Sequence, residues 1–186
     1  MTRKLSEEAT VRKFMDVARS YCSAIDSHAE SQLRAFLEQL ELLLPQLVAG
    51  VLSLPDVQRF GPAPPEFDHR KTWKPVCDCL AEYLGEQRRY WTVFDPTKPT
   101  KDDPVVGDLA DDLADVYCDL RRGLDAWEAA DAASRLEIIW TWRFDYESHW
   151  GQHAVDALRA IYSHLGMLKL GRSTDPAHVQ EAGHDA

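Results

Sequence analysis

Apolar residues recur along this chain at intervals of three and four, and no window sustains the alternation of a strand. The pattern therefore predicts an all-α protein. A first helix opens at Ser6, which reads as its N-cap with Glu7 and Glu8 in the first turn. Its core stripe is Val11, Phe14, Val17, Ala18, Tyr21, Cys22 and Ile25. A second helix, about residues 29–54, carries Leu33, Phe36, Leu37, Leu40, Leu44, Leu47, Val48 and Val51, and Pro45 within it should kink it. A Gly-Pro-rich loop follows at 61–72, then a third helix at 73–84 and a short aromatic segment at 88–94. A proline-rich loop at 95–104 leads into a fourth helix at 105–125, and a last helix runs over 134–168 with a bend expected at Gly151. Five helices around one core predict a single helical bundle over residues 1–170. The polar segment 171–186 reads as a disordered tail, which discounts His178 and His184 as ligands.

The fourth predicted helix has an apolar face of Leu109, Leu113, Val116, Leu120 and Leu124. Asp108, Asp112, Asp115 and Asp119 follow one another at i, i+4, i+7 and i+11, which places all four on one strip bordering that face. No Lys or Arg offsets them before Arg121, and like charges at this spacing cost a helix roughly a few tenths of a kcal/mol per pair. Asp108, Asp111 and Asp112 recover part of that near the positive end of the helix dipole. Asp115 and Asp119 lie too far along, so they need an Arg or His from another helix, a divalent cation, or water. Charge runs on helices usually face water, so the favoured reading is a solvated acidic face with a cross-helix salt bridge, for example to Arg143. The alternative is a Mg²⁺ or Mn²⁺ site.

In the last predicted helix Trp140, Trp142, Phe144, Tyr146 and Trp150 point in nearly every direction around the axis, the mark of a helix buried on all sides. Arg143, Asp145, Glu147, His149 and His153 among them must then be paired, bound to an ion, or used. Asp145 and His149 stand at i, i+4, where a carboxylate fixes an imidazole's tautomer and raises its pKa. His149 and His153 repeat that spacing, which lets two imidazoles hold one metal. With Asp112 or Asp115 they make a mixed site suited to Mn, Fe or Zn. The competing reading is a core network of Asp145, His149, Arg143 and the Asp strip without any ligand.

Shorter motifs add little. Asp111-Asp112-x-x-Asp115 matches the diphosphate-binding motif of isoprenoid synthases, but no second metal motif accompanies it. Glu38-x-x-Glu41 with Asp112-x-x-Asp115 loosely resembles the paired acids of all-helical nucleotide pyrophosphohydrolases. Paired Glu-x-x-His motifs, His-Glu-x-x-His, a Gly-rich phosphate loop and Gly-x-Ser-x-Gly are all missing.

A formal charge of −10 argues against nucleic acid as a partner, and the longest basic cluster, His69-Arg70-Lys71 with Lys74, reads as a solvated loop. With no uninterrupted apolar run of about 18 residues, no membrane span is expected, and the N-terminus does not read as a secretory signal. Cys22, Cys77, Cys79 and Cys118 lie in helical patterns without Cys-x-x-Cys spacing. Cys77-Asp-Cys79 is a faint metal hint, with reduced core cysteines the better reading and a cytoplasmic location the expectation.

Three segments carry a resemblance: Tyr90-Trp-Thr-Val-Phe-Asp-Pro96, Asp111-Asp-Leu-Ala-Asp-Val-Tyr-Cys-Asp-Leu120 and Trp140-Thr-Trp-Arg-Phe-Asp-Tyr-Glu-Ser-His-Trp-Gly-Gln-His-Ala154. In order and spacing they resemble the bacterial family catalogued as domain of unknown function 5063. The resemblance implies a small cytosolic helical protein and carries no activity, cofactor or catalytic residue with it. No full set of nucleophile, base and oxyanion donors stands out. The sequence therefore favours a non-catalytic interaction module whose acidic face docks a basic protein partner. The alternative is a metal-dependent hydrolase-type enzyme. In it Asp112, Asp115, Asp119, His149 and His153 are candidate ligands for Mg, Mn, Zn or Fe, and His149, Asp145 and Arg143 are candidate catalytic groups.

Overall fold

The apolar stripes are the surfaces on which the helices meet. A computed structural model describes residues 2–59, 69–93, 96–98 and 104–169. Its helices are α1 (Thr2–Asp26), α2 (Leu33–Leu52), α3 (His69–Leu84), α4 (Leu109–Trp127), α5 (Ala132–Asp145) and α6 (Gly151–Lys169). A π turn, Tyr146–Trp150, joins α5 to α6, so the two form one continuous rod and the bundle has five long helices. A ribbon of β1 (Arg89–Thr92) and β2 (Val105–Asp108) stands between α3 and α4. Residues 69–72 of the first expected loop are instead the opening turn of α3, while most of the rest of the expected loops at 61–72 and 95–104 and all of the expected tail, with His178 and His184, lie outside the described residues.

The stripe of α1 is buried at Val11, Phe14, Ala18, Tyr21, Cys22 and Ile25, joined by Met15, with Val17 at its edge. Because α1 already runs at Thr2, Ser6 lies inside the helix and is not its cap. A separate 3₁₀ turn, His28–Glu30, takes residues expected in the second helix, and α2 runs unbroken past Pro45. By length and composition α2 would suffice to cross a membrane, which corrects the expectation that no segment would. Here it packs against α1 and α6 and buries Phe36, Leu37, Leu40, Leu44, Leu47 and Val51. Cys22 and Cys118 are core residues as expected, whereas Cys77 is half-buried and Cys79 exposed.

Residues 89–92 and 105–108 depart from the all-helical expectation. Arg89 pairs with Asp108, Tyr90 with Gly107, Trp91 with Val106 and Thr92 with Val105 in an antiparallel ribbon. Four residues are too few to establish a period, while the β-branched pair Val105-Val106 suits a strand. A Cβ at Gly107 would lie 2.5–2.9 Å from the Tyr90 ring. The bare backbone there gives that ring room to lie across the ribbon. Asp108 ends the strand and caps α4, accepting the Ala110 amide proton at 3.1 Å.

The central helix is α4, which meets α1, α3, α5 and α6. At Gly123 it comes so close to α5 that a Cβ would sit 2.3 Å from the Trp142 indole. Trp142 in turn meets Phe14 edge-on at 5.2 Å and stacks on Trp127 at 5.8 Å. Trp142 and Trp150 are eight residues apart, which leaves them about 80° out of phase on an α-helix. Both are nonetheless fully buried. The π turn absorbs the surplus residue and returns the second half of the rod to the core with Trp150, Ala154, Ala157 and Ile161 inward.

Candidate metal centre

Because α4 is enclosed by neighbours, the strip beside its apolar face is enclosed as well. Asp112, Asp115 and Asp119 are only 5%, 8% and 5% exposed, so the expected solvated acidic face is not what this strip forms. Three buried carboxylates on successive turns demand compensation. It comes from the rod: His153 Nδ1 lies 2.8 Å from Asp112 Oδ1, and His149 Nδ1 lies 2.8 Å from Asp119 Oδ2. The pairs run in opposite sequence order because the rod passes α4 antiparallel, and Asp115 falls between them. Tyr90, turned inward by the space at Gly107, donates its phenol proton to Asp112 Oδ2.

An ionised carboxylate only accepts, so Nδ1 of each ring donates, and in the neutral imidazole Nε2 is the nitrogen that bears the lone pair. Those lone pairs turn toward the third carboxylate. His153 Nε2 is 3.5 Å from Asp115 Oδ2, and His149 Nε2 is 3.9 Å from Asp115 Oδ1. One donor atom from each of Asp115, His149 and His153 lies within 4.8 Å of the others. Metal–nitrogen bonds of about 2.0–2.1 Å would draw these atoms inward by roughly an ångström, within reach of side-chain rotation. The side chains of His149 and His153 are 42% and 25% exposed, so the group sits at the surface end of a buried carboxylate ladder.

The electrostatics agree. The hydrogen bond to Asp119, with the charges of Asp119 and Asp115, raises the pKa of His149 against the opposing effect of burial. Burial pulls His153 down most strongly, but the Asp112 hydrogen bond and the charges of Asp115 and Asp112 together raise it above its ordinary value. Burial and the hydrogen bond to Asp112 push the Tyr90 phenol far above the ordinary range, so it is a permanent donor.

Asp115 and His149 also line an open cleft of about 520 Å³, together with Arg70, Trp73 and Asp111. A roomier groove of about 630 Å³ lies between α1 and α5 against Met15, Trp127 and Leu136 and contains none of these groups. The chemistry, not the volume, singles out the smaller cleft.

Other expectations need correction. Asp145 does not orient His149; it pairs with Arg122 of α4. Burial and the neighbouring Asp119 push the Asp145 carboxyl up to about 6 despite that partner. Arg143 reaches the Leu54 carbonyl at 2.6 Å, satisfying backbone just past the end of α2 rather than the Asp strip. Glu38 pairs with Arg34 on its own helix, and Asp108 is a cap that also meets Arg88. The sequence reading did not single out Tyr90, Arg122 or Trp73 as members of the site and assigned Arg70 to a solvated loop. Tyr90 had a signal, a lone Gly in a Val-Val-Gly-Asp strand, but it is readable only once the register is known.

Comparison with known proteins bears on the fold and the family. The model of the family described as domain of unknown function (DUF5063) matches residues 6–166. The chain belongs to that family. The crystal structure of BF1032, a structural-genomics protein from Bacteroides fragilis, superposes on this DUF5063 protein with a TM-score of 0.72 at 20% identity, covering 89% of this chain and 96% of that one. At that identity the likeness shows a shared fold. No curated protein matches this DUF5063 sequence.

Proposed function

We propose that Asp115, His149 and His153 bind one divalent metal ion, and that this DUF5063 protein is a metal-dependent enzyme of hydrolytic type. One observation carries the reading: two imidazoles, each with Nδ1 tied to a buried carboxylate, turn both Nε2 atoms toward a third carboxylate. Three acceptors brought together repel one another unless a cation stands among them, and that cation is either protons on the imidazoles or a metal. The outer carboxylates do what second-layer partners do around metals, setting tautomer, orientation and ligand basicity. Two nitrogens and one carboxylate suit Mn, Fe or Zn better than Mg, which prefers oxygen.

Three protein ligands leave coordination positions open, as catalytic rather than structural sites do. The cleft beside Asp115 and His149 would give a substrate access to such an ion. A metal of this kind polarises a bound ester or activates water near neutral pH, and Asp111 on the cleft wall is the nearby carboxylate for a released proton. The docking-face reading loses its main support, because the carboxylates it relied on are turned inward.

The test is metal analysis with thermal melts of EDTA-treated protein given Mn²⁺, Zn²⁺, Fe²⁺ or Mg²⁺. An ion at 100 times its Kd adds about 2.7 kcal/mol, which in a domain of this size raises Tm by roughly 5–10 °C. We expect that rise with at least one of the first three ions, its loss in His149→Ala and His153→Ala, and ester or phosphoester cleavage dependent on the same ion. A wild-type melt indifferent to all four ions would sink the proposal.

A further inference from the structure

The cleft over the proposed metal contains more than metal ligands. Arg70 and Trp73 stand at i, i+3 on α3, so they share a face of that helix, and both line the cleft opposite Asp115 and His149. Arg70 lies in the first turn of a 16-residue helix, where the helix dipole adds to its positive charge. Trp73 is half-buried and packed on the core, so its ring is a fixed wall rather than a mobile side chain.

The charge arrangement is directional. Without a metal, and with both imidazoles neutral, Asp111 and Asp115 outweigh Arg70 in the cleft and repel anions. A divalent ion on Asp115 and two neutral imidazoles reverses that sign locally, leaving a cationic point at the metal and a second at Arg70. A guanidinium fork beside a metal matches an acid group with several oxygens, one for the metal and two for the fork. The flat ring next to Arg70 offers apolar contact to whatever carries that group. The open cleft of about 520 Å³ leaves room for a small molecule.

Resting on the metal reading above, we infer that the cleft takes a small oxyacid anion, a phosphate or carboxylate group carried on an aromatic body. Arg70 holds the acid group and Trp73 the ring. Arg70 is thus a binding residue, not a solvated loop residue, and Trp73 sets a preference for aromatic over bare anions.

The experiment uses the full chain loaded with Mn²⁺, whose uptake is followed first by paramagnetic resonance. Phenyl phosphate, benzoate and inorganic phosphate are then titrated calorimetrically into wild type, Arg70→Gln, Trp73→Phe and the distant surface variant Arg34→Gln. We expect phenyl phosphate or benzoate to bind wild type more tightly than inorganic phosphate, and the stronger of the two identifies the acid group. Arg70→Gln should weaken that ligand about tenfold or more with Mn²⁺ affinity unchanged, whereas Arg34→Gln should bind as wild type does. Trp73→Phe, which keeps an aromatic wall, should retain the preference for the aromatic ligand. If Mn²⁺ binds but Arg70→Gln binds all three anions as wild type does, the anion subsite is wrong and the metal reading stands. If wild type takes up no Mn²⁺, Zn²⁺ or Fe²⁺, the metal reading is wrong, and the subsite falls with it because it lacks the ion meant to take one oxygen of the acid group.

Discussion

The protonation of two imidazoles decides what the carboxylate ladder does at a given pH. Two imidazolium rings, and one divalent ion on two neutral rings, leave the same net charge among Asp112, Asp115 and Asp119. Proton and metal are therefore competitors for one electrostatic role. His149 and His153 both have folded-state pKa values raised above about 6.5. A raised value means that the folded, metal-free protein holds these protons more tightly than the unfolded chain does. That stabilisation is complete below about pH 6.5 and is lost as pH climbs through the folded values. We expect metal-free protein to melt at progressively lower temperature above that point, while the rise in Tm on adding metal grows over the same interval. In an NMR titration Asp119→Asn, which removes the largest cause of the His149 shift, should bring His149 back toward its ordinary pKa and leave His153 nearly in place. Unchanged titration of His149 would show that the Asp119 contact does not govern it.

Helix pitch alone explains why part of the site was legible and part was not. The i, i+4, i+7, i+11 strip on α4 and the i, i+4 histidines pointed to Asp112, Asp115, Asp119, His149 and His153, because spacing within one helix is set by geometry that every helix shares. Which carboxylate meets which imidazole was not legible. Asp145 is one turn from His149 in sequence, yet the antiparallel approach of α4 gives His149 to Asp119 and leaves Asp145 to Arg122. The ribbon was hidden because four-residue strands carry no readable period, and with it the role of Tyr90. The aromatic surplus at 140–150 was a real signal, but of a π turn rather than a helix buried all round: Phe144 is exposed, and the turn re-phases Trp150. That turn depends on Gly151, whose amide closes the wide bond to the Tyr146 carbonyl. A Cβ there would meet the same oxygen at 2.3 Å. Gly151→Ala should force the turn to shift, cost about 1–3 kcal/mol by melting, and weaken metal uptake by displacing His149. Gly166→Ala on the same rod, where nothing lies within 4 Å of the new methyl, should be neutral or stabilising by up to about 1 kcal/mol. Equal behaviour of the two variants would mean that the π turn plays no part in placing the histidine.

The whole molecule gives up some stability to hold this cluster. A central helix packed against α1, α3 and the α5–α6 rod is the place where a bundle gains most from apolar contact, yet α4 gives three of its buried positions to Asp. Asp112 and Asp119 recover the cost through Tyr90, His153 and His149. Asp115, the proposed ligand, stands 3.5 and 3.9 Å from two nitrogens that become acceptors once the imidazoles lose their second proton. Proteins often retain such locally unfavourable arrangements where function requires them. The consequence is a stability change opposite in sign with and without metal. Asp115→Asn removes one of the three charges and adds an amide donor that can face either Nε2. Above the raised histidine pKa values, metal-free Asp115→Asn should melt at or above the temperature of metal-free wild type, and it should gain nothing from Mn²⁺ or Zn²⁺. A structural ion-pair network predicts the reverse, because removing one member of a satisfied buried network destabilises by several kcal/mol, on the order of 3–5. Paired melts of the two proteins at pH 8.5, with EDTA and with Zn²⁺, separate the two: a large loss in EDTA would make the ladder scaffolding, and a gain or no change, with the metal response abolished, would make Asp115 a ligand held ready for its ion.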